Sequence, residues 1–464
     1  MKTFVYVLTL FLSIQAFGQS FCPTGQSLVE SQILAGNTLP VADLDFISYN
    51  PFNPNEAWAT GKSSALIKLT RTGGIWTATQ QSTAFAQFAN QRFKYIQFVS
   101  ASRYILAGDG IGNAISDSGN LYVSNNSGAT WSNQAKVPGG PNYFVLGHPS
   151  FSNWYIAGTR NGVFISKNFG FTWVRQNNIT PSSIIGERYY AVVLDTSLSK
   201  VWVSNRAGYI LSASIANFSP TGVDNPTWIS EVTPTSTFST IVNGNASFNH
   251  ISKSGSTLVA VSDNADGAAL IRSTNNGAQW DRVVINGYDP MLNGELRWSS
   301  IEGNALTVAD DAGFVFYSSN INATSPAFFR VQANNGGDSV STFTLNSVTL
   351  RLTPDIQFLT AGNIKQGGGG PILAHFGCSA VSGLEQEKED LKALLYPNPS
   401  RGSAWFEAPF DGMVEVTDAS GKVQHTQLVQ PGSQRLSVEG LSGGLYQVRY
   451  VHAKGAKVVR WVVY

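Results

Sequence analysis

Charge is scarce in this chain. Only 13% of its 464 residues are Asp, Glu, Lys or Arg, and 30 basic against 29 acidic residues leave a formal net charge of +1. That balance lacks the long-range field of a dedicated nucleic-acid binder, so no nucleic-acid partner is expected. Metal-ligating residues are equally thin. His148, His250, His375, His425 and His452 show no ligand spacing, and the two cysteines form no Cys-x-x-Cys or Cys/His cluster, so no metal site is expected. The glycine run 367–370 has no following Lys-Ser/Thr and no helix pattern, which excludes a phosphate loop. No cofactor is implied. Apolar runs stay shorter than the roughly 20 residues that span a bilayer, so no transmembrane segment is expected once the leader is removed.

What the chain has in quantity is glycine (45), proline (19) and aromatic residues (12%), among abundant Ser, Thr, Asn and Val. This is the composition of many short strands joined by tight turns, and the fold class expected is all-β. The first 18 residues read as a secretory signal: Lys2, the apolar run Phe4 to Leu12, then small residues at Ala16 and Gly18. Cys22 lies near the cleavage point, but bulky Phe21 precedes it where lipoprotein processing takes a small residue. In an oxidising compartment Cys22 and Cys378 are expected to pair as a disulfide across 356 residues, which requires the chain between them to return to its start, as a closed ring does.

One pattern recurs three times between the cysteines. Ser124, Asn126, Gly128 and Trp131 repeat as Ser166, Asn168, Gly170 and Trp173, and again as Ser273, Asn275, Gly277 and Trp280. Degenerate copies end at Trp76, Trp228 and Phe329; the tryptophans step by 55, 42, 55 and 52 residues, near the period of four-stranded propeller blades. The pattern resembles the Asp-box (BNR repeat) of sialidases, sortilin-type receptors and propeller xyloglucanases, with Asn in the Asp position. The stretches 46–61 and 147–166 are similar to hairpins of the sortilin and xyloglucanase propellers. The resemblance implies a structural box: Asn accepts turn amides, Gly takes the left-handed conformation and Trp packs on a neighbouring sheet. Seven blades are expected, Asp43 to Thr79, Phe93 to Gln134, Tyr143 to Gln176, Tyr189 to Val232, Phe248 to Val283, Leu296 to Val331 and Ser341 to Phe376. The last lacks an outer strand, which Gln26 to Gln32 could supply.

Composition changes after Cys378. Residues 385–392 form a charged, glycine-poor run, and the rest alternates polar and apolar between glycine turns, the spacing of a small immunoglobulin-like β-sandwich. YPNPSRG (Tyr396, Pro397, Asn398, Pro399, Gly402), VTDASGKV at 416–423 and LSGGLYQVRYV (Gly444, Tyr446), followed by Lys457, resemble the type A C-terminal sorting domain of type IX secretion substrates in Bacteroidetes. The resemblance implies periplasmic transit, recognition by the type IX translocon and sorting machinery, and release or attachment at the outer cell surface. The boundaries expected are a signal peptide at 1–18, a propeller at 19–378, a linker at 379–395 and a sorting domain at 396–464.

Propellers place ligands on the face opposite the Asp-box turns. The loops between second and third strands there carry Asp109, Asp117, Asp263, Asp266, Asp310 and Asp311, as well as Lys62, Arg160 and Arg206. Paired carboxylates could serve a glycosidase as acid and base; carboxylates in tight turns are also ordinary turn residues. Against the resembled enzymes, no Arg-Ile-Pro motif of sialidases is present, and Gly61-Lys62 stands where propeller xyloglucanases carry an acid. Three functions remain open: a secreted propeller binding glycan or protein through its loop face, a glycoside hydrolase with diverged catalytic residues, and a purely structural cell-surface protein.

Overall fold

A computed structural model describes residues 26–32, 43–81, 88, 91–109, 118–134, 136–215, 225–234, 247–263, 270–286, 288, 294–332, 343–353, 356–364, 371–380, 394–396, 403–408, 411–418, 422–430, 432–437, 441–452 and 455–463. The expected signal segment, Cys22, Asp117, Asp266, Pro397, Asn398, Pro399 and Gly402 lie outside them. The chain divides into two units, 1–378 and 379–464.

The first unit holds seven four-stranded sheets among the described residues. Sheets 1 to 6 are consecutive meanders, running from Leu44–Tyr49 to Ile75–Gln80, Phe93–Phe98 to Ser132–Asn133, Asn142–Gly147 to Val174–Arg175, Tyr189–Asp195 to Trp228–Val232, Ser247–Ser254 to Asp281–Val283, and Leu296–Glu302 to Phe329–Gln332. Sheet 7 comprises Phe343–Arg351, Gln357–Ile364 and Pro371–Ala380, and its outer strand is Gln26–Gln32 from the other end of the unit. The first strand of every sheet packs on the first strand of the next, and that of sheet 7 packs on that of sheet 1, so the sheets close into a propeller ring.

Short, half-buried meanders cannot stand alone; each must bury both faces against neighbours. Accordingly the core is divided into seven apolar clusters, one between each successive pair of sheets. Ile156, Val163, Val203 and Leu211 join sheets 3 and 4, for example, and Ile47, Ile67, Leu359 and Leu373 join sheets 1 and 7. Arg351 reinforces that last junction: its guanidinium donates to the carbonyls of Asn50 (2.8 Å) and Pro54 (2.6 Å) and lies 4.4 Å from the Tyr49 ring centroid.

The three repeated turns share one hydrogen-bond pattern. In each, the Ser hydroxyl bonds the Asn Oδ1 (3.0 to 3.1 Å) and accepts the Gly N–H at 2.9 Å. The Asn Oδ1 also accepts the N–H of Thr130, Thr172 or Gln279 at 2.8 to 2.9 Å. Gly128, Gly170 and Gly277 have φ of 83°, 84° and 88°, and a Cβ on Gly128 would stand 2.8 Å from Trp58 of the preceding sheet. Only glycine meets both demands. The tryptophans are less alike than the repeat suggests. Trp131 (7% exposed) lodges with Trp58 and Phe88, and Trp280 (9%) with Trp202, whereas Trp173 is half-buried. The cause is the neighbour: Leu121, not a tryptophan, lies behind Gly170 and leaves the Trp173 ring uncovered.

In the second unit, a three-stranded sheet (Leu394–Tyr396, Ser403–Ala408, Gly432–Ser437) and a four-stranded one (Val423–Val429, Gly412–Thr417, Gly444–His452, Gly455–Val463) enclose a single core that includes Phe406, Val416, Leu436, Val448, Tyr450 and Trp461. Tyr446 is buried, and its hydroxyl donates to the Ser442 carbonyl at 2.8 Å.

Candidate functional site

Each first strand of the ring carries one extra residue near its start. Pairing with the second strand skips Asp45, Lys94, Tyr143, Tyr190, Asn249, Arg297 and Asn346 in sheets 1 to 7. A bulge bends the strand and re-aims its side chains. Seven bulges at one level therefore put seven side chains around the axis, at the end where the second-to-third loops emerge. At four of the seven junctions a member touches the next or clasps the strand that carries it. Lys94 Nζ is 3.5 Å from Asp45, and the Tyr143 and Tyr190 rings meet edge to face at 5.0 Å. Asn249 Nδ2 donates to the Leu296 carbonyl (3.0 Å), and Asn346 Nδ2 to the Leu44 carbonyl (2.7 Å).

A backbone clasp outside the bulges repeats as well. The N–H just past the second strand reaches the carbonyl just before the bulge: Lys62 to Asp43, Asp109 to Arg92, Arg160 to Pro141, Arg206 to Arg188 and Asp311 to Glu295, at 2.9 to 3.1 Å. The clasp brings the loop residues onto the bulge ring. Lys62 is ion-paired with Asp43. Arg92 grips Asp45 with two bonds of 2.7 Å. Burial opposes charge on Asp45, yet Lys94 and Arg92 outweigh it and hold the carboxyl below its usual range.

The sequence-expected aspartates have different fates. Asp310 is fully buried, and its Oδ1 accepts the N–H groups of Ala312 (3.0 Å) and Phe314 (2.7 Å), the work of a turn residue. Asp311 accepts the Glu295 N–H at 2.8 Å and an Arg297 guanidinium contact at 3.2 Å. Asp263 ends the second strand of sheet 5. Asp109 is 6% exposed, and its Oδ1 has no hydrogen-bond partner among the described residues. Burial raises its pKa to about 6, Lys94 and Arg92 opposing and Asp45 adding. Asp45 and Asp109 thus form a rim pair with divergent acidities, one held ionised and one poised near neutrality.

Asp45, Lys94, Tyr143, Arg188 and Tyr190 were not among the sequence candidates. The signal was present: aligned at the blade period, the first strands read Leu-Asp-Phe, Phe-Lys-Tyr, Asn-Tyr-Phe, Tyr-Tyr-Ala, Phe-Asn-His, Leu-Arg-Trp and Leu-Asn-Ser, each interrupting strict alternation at the same place. Two of the histidines have scaffold contacts. His148 Nδ1 accepts the N–H groups of Ser150 and Phe151 at 3.1 Å. His250 stacks on Trp298 at 3.6 Å between centroids, and burial lowers its pKa to about 3. Among the described residues no group of His, Cys, Asp and Glu could hold a metal ion, and no helix is long and apolar enough to cross a membrane.

The ring of meander sheets defines the first unit as a β-propeller. Among solved structures the chain is similar to YCF48 from Cyanidioschyzon merolae, with 17% identity and a TM-score of 0.50 over 75% of this chain and 98% of that one. YCF48 bound to D1 peptide is similar at 13% identity and a TM-score of 0.49, over 76% of this chain and 98% of that one. PorZ, an essential bacterial surface component of the type IX secretion system of Porphyromonas gingivalis, matches at 14% identity and a TM-score of 0.42, over 88% of this chain and 64% of that one. The chain thus spans less than two thirds of the PorZ chain. No curated protein matches it. Residues 394–464 match the secretion system C-terminal sorting domain, the mark of proteins that the type IX system exports to the cell surface or releases.

Proposed function

We propose that this exported propeller holds a glycan or protein ligand on its loop-end rim, at the ring of bulge residues. The observation that carries the reading is the recurrence of one bulge at one level in all seven sheets, which delivers polar and aromatic side chains to one end of a rigid scaffold. Rigid scaffolds with variable side chains at loop ends are the usual way a fold acquires binding function. The Tyr143 and Tyr190 pair offers amphipathic surface of the kind that both sugar rings and extended peptides use. The full chain is to be screened against glycan and peptide arrays, followed by titration of any hit with the Tyr143→Ala, Tyr190→Ala double variant. A loss of at least tenfold in affinity at an unchanged melting temperature is expected. Undiminished binding by the double variant, or no hit on either array, would refute rim binding.

A second reading, glycoside hydrolysis, is favoured by one observation, the divergent acidities of Asp45 and Asp109. It requires reducing ends to be released from a member of the same glycan panel, and release to stop in Asp109→Asn.

The remaining boundaries are part of the same reading: a signal peptide at 1–18, a propeller at 19–378, a linker at 379–395 and sorting residues from 396 onward. So is the Cys22 to Cys378 disulfide. Its support is topological: Gln26–Gln32 begins four residues after Cys22 and lies beside the strand that carries Cys378.

A further inference from the structure

The three repeated turns share their hydrogen bonds but not their outward side chains. On either side of the glycine, the turn of sheet 2 carries Ser127 and Ala129, and that of sheet 5 carries Asn276 and Ala278. The turn of sheet 3 carries Phe169 and Phe171 instead. Phe169 is 46% exposed and Phe171 71%, and Val174, just beyond the half-buried Trp173, is exposed as well. Phe169 also takes a φ of 61°, where Ser127 and Asn276 have 57°. A bulky side chain is an outlier in that left-handed conformation. Two phenylalanines therefore stand in water at this turn, one of them strained, and the turn itself needs neither, since the chain builds it twice elsewhere without them.

The surroundings of the two rings are cationic. The Phe169 N–H donates to the Asn153 carbonyl at 2.9 Å, and the adjoining Ser152 carbonyl accepts the guanidinium of Arg103, from sheet 2, at 2.5 Å. The same guanidinium donates to the Tyr155 hydroxyl at 2.7 Å, and the Tyr155 ring lies 6.5 Å from that of Trp173, so Arg103 is held at the base of the turn by neutral groups. Lys167 opens the turn, and Leu121 and Gln134 of sheet 2 stand behind Gly170. From Ser118 to Gly186 the chain has no Asp or Glu at all. No carboxylate belongs to the turn, to the loop beneath it or to the sheet-2 residues that touch it, and charge complementarity points to an anionic partner.

The backbone of the turn says which kind of partner. Four consecutive N–H groups are used inside the protein: Phe169 on the Asn153 carbonyl, Gly170 on Ser166 Oγ, Phe171 on the Asn168 carbonyl and Thr172 on Asn168 Oδ1. The turn can enter an apolar layer without stranding a donor, and it keeps none of these N–H groups for the directional bonds that a protein interface uses. Its rings sit on the outside of a tight turn, not in a groove. We propose that this turn docks the propeller on an anionic lipid surface, with Phe169 and Phe171 entering the headgroup layer and Arg103 and Lys167 lying over the lipid charges. An exported chain meets such a surface at the cell exterior. The repeated turns and the second-to-third loops lie at opposite ends of the strands, so a propeller seated in this way keeps its ring of bulge residues directed away from the bilayer.

The test is co-sedimentation of the full chain with vesicles of phosphatidylcholine, alone or mixed with about one quarter phosphatidylglycerol. Binding to the mixed vesicles is expected, several-fold weaker to phosphatidylcholine alone. The decisive variant is Phe169→Asn with Phe171→Ala, which gives this turn the side chains that the turn of sheet 5 already carries at those places, so its folding is secured by precedent in the same molecule. It should bind the mixed vesicles roughly tenfold or more weakly, with a melting temperature equal to or above that of the parent, because Asn tolerates the left-handed conformation. Ile229→Ala, which removes an exposed apolar side chain from the outer strand of sheet 4, should bind as the parent does. Undiminished binding by the double variant, or an equal loss in Ile229→Ala, overturns the assignment to this turn. Equal binding to both vesicles overturns the recognition of lipid charge. No binding to either overturns the lipid surface altogether and leaves the turn to a protein partner.

Discussion

Asp109 shows what a single residue contributes to this rim and what it costs. An aspartate ordinarily titrates near 3.9; here burial lifts the folded value to about 6. The folded state therefore holds more protons than the unfolded one between about pH 4 and pH 6, and stability falls as pH rises through that window. Above it the ionised carboxylate, buried and with Oδ1 lacking a hydrogen bond, remains a fixed liability. Asp109→Asn is thus expected to stabilise the propeller at pH 7.5 by about 1 to 3 kcal/mol, with the gain shrinking below pH 6 and gone near pH 4. Urea unfolding at three pH values checks this; a variant less stable than the parent at pH 7.5 would show that the carboxylate has a stabilising partner. Retaining such a residue makes sense where its oxygen meets a ligand. Burial, the decisive fact about Asp109, is a property of the folded ring, and the sequence places it in a set of loops that carries five other aspartates of equal standing. The turn duty of Asp310 is local, two to four residues away in the chain, and was the ordinary expectation for such loops, whereas Asp311 reaches back to Glu295 and Arg297.

At the scale of the element, the blade was the most legible feature and the bulge the least. Strand runs, the Ser-Asn-Gly-Trp turns and the borrowed outer strand Gln26–Gln32 are written in patterns of period two and in a repeat of about fifty residues, both of which survive in sequence alone. The bulge leaves only one out-of-phase residue per sheet, visible only after all seven first strands are aligned. Tertiary packing also graded the repeated turns in a way that the motif does not encode. Trp131→Ala and Trp280→Ala are expected to cost about 3 to 5 kcal/mol each, and Trp173→Ala about 1 to 2, because its ring already touches water. Thermal unfolding of the three variants tests the order. Equal losses at all three positions would mean that the turn itself, not the inter-sheet packing, sets the contribution of the tryptophan.

For the whole molecule the decisive event is closure. Sheet 7 is assembled from the two ends of its unit, and the proposed Cys22 to Cys378 bond would lock that assembly. Crosslinking so long a loop stabilises by up to about 5 kcal/mol through the entropy of the unfolded chain. Thiol titration of the unfolded, unreduced chain should find none, and Cys378→Ser should lower the melting temperature; two reactive thiols would rule the bond out. The same closure has a mechanical side. The strand that leads onward to the sorting domain, Pro371–Ala380, is not an edge: Gln357–Ile364 flanks it on one side and Gln26–Gln32 on the other. A pull on the exported tail is therefore borne by two hydrogen-bonded ladders loaded together along the strand. An uncovered edge would have a single ladder to bear the same load. The N-terminal strand thus acts as a strain relief at the point where the cable leaves the housing.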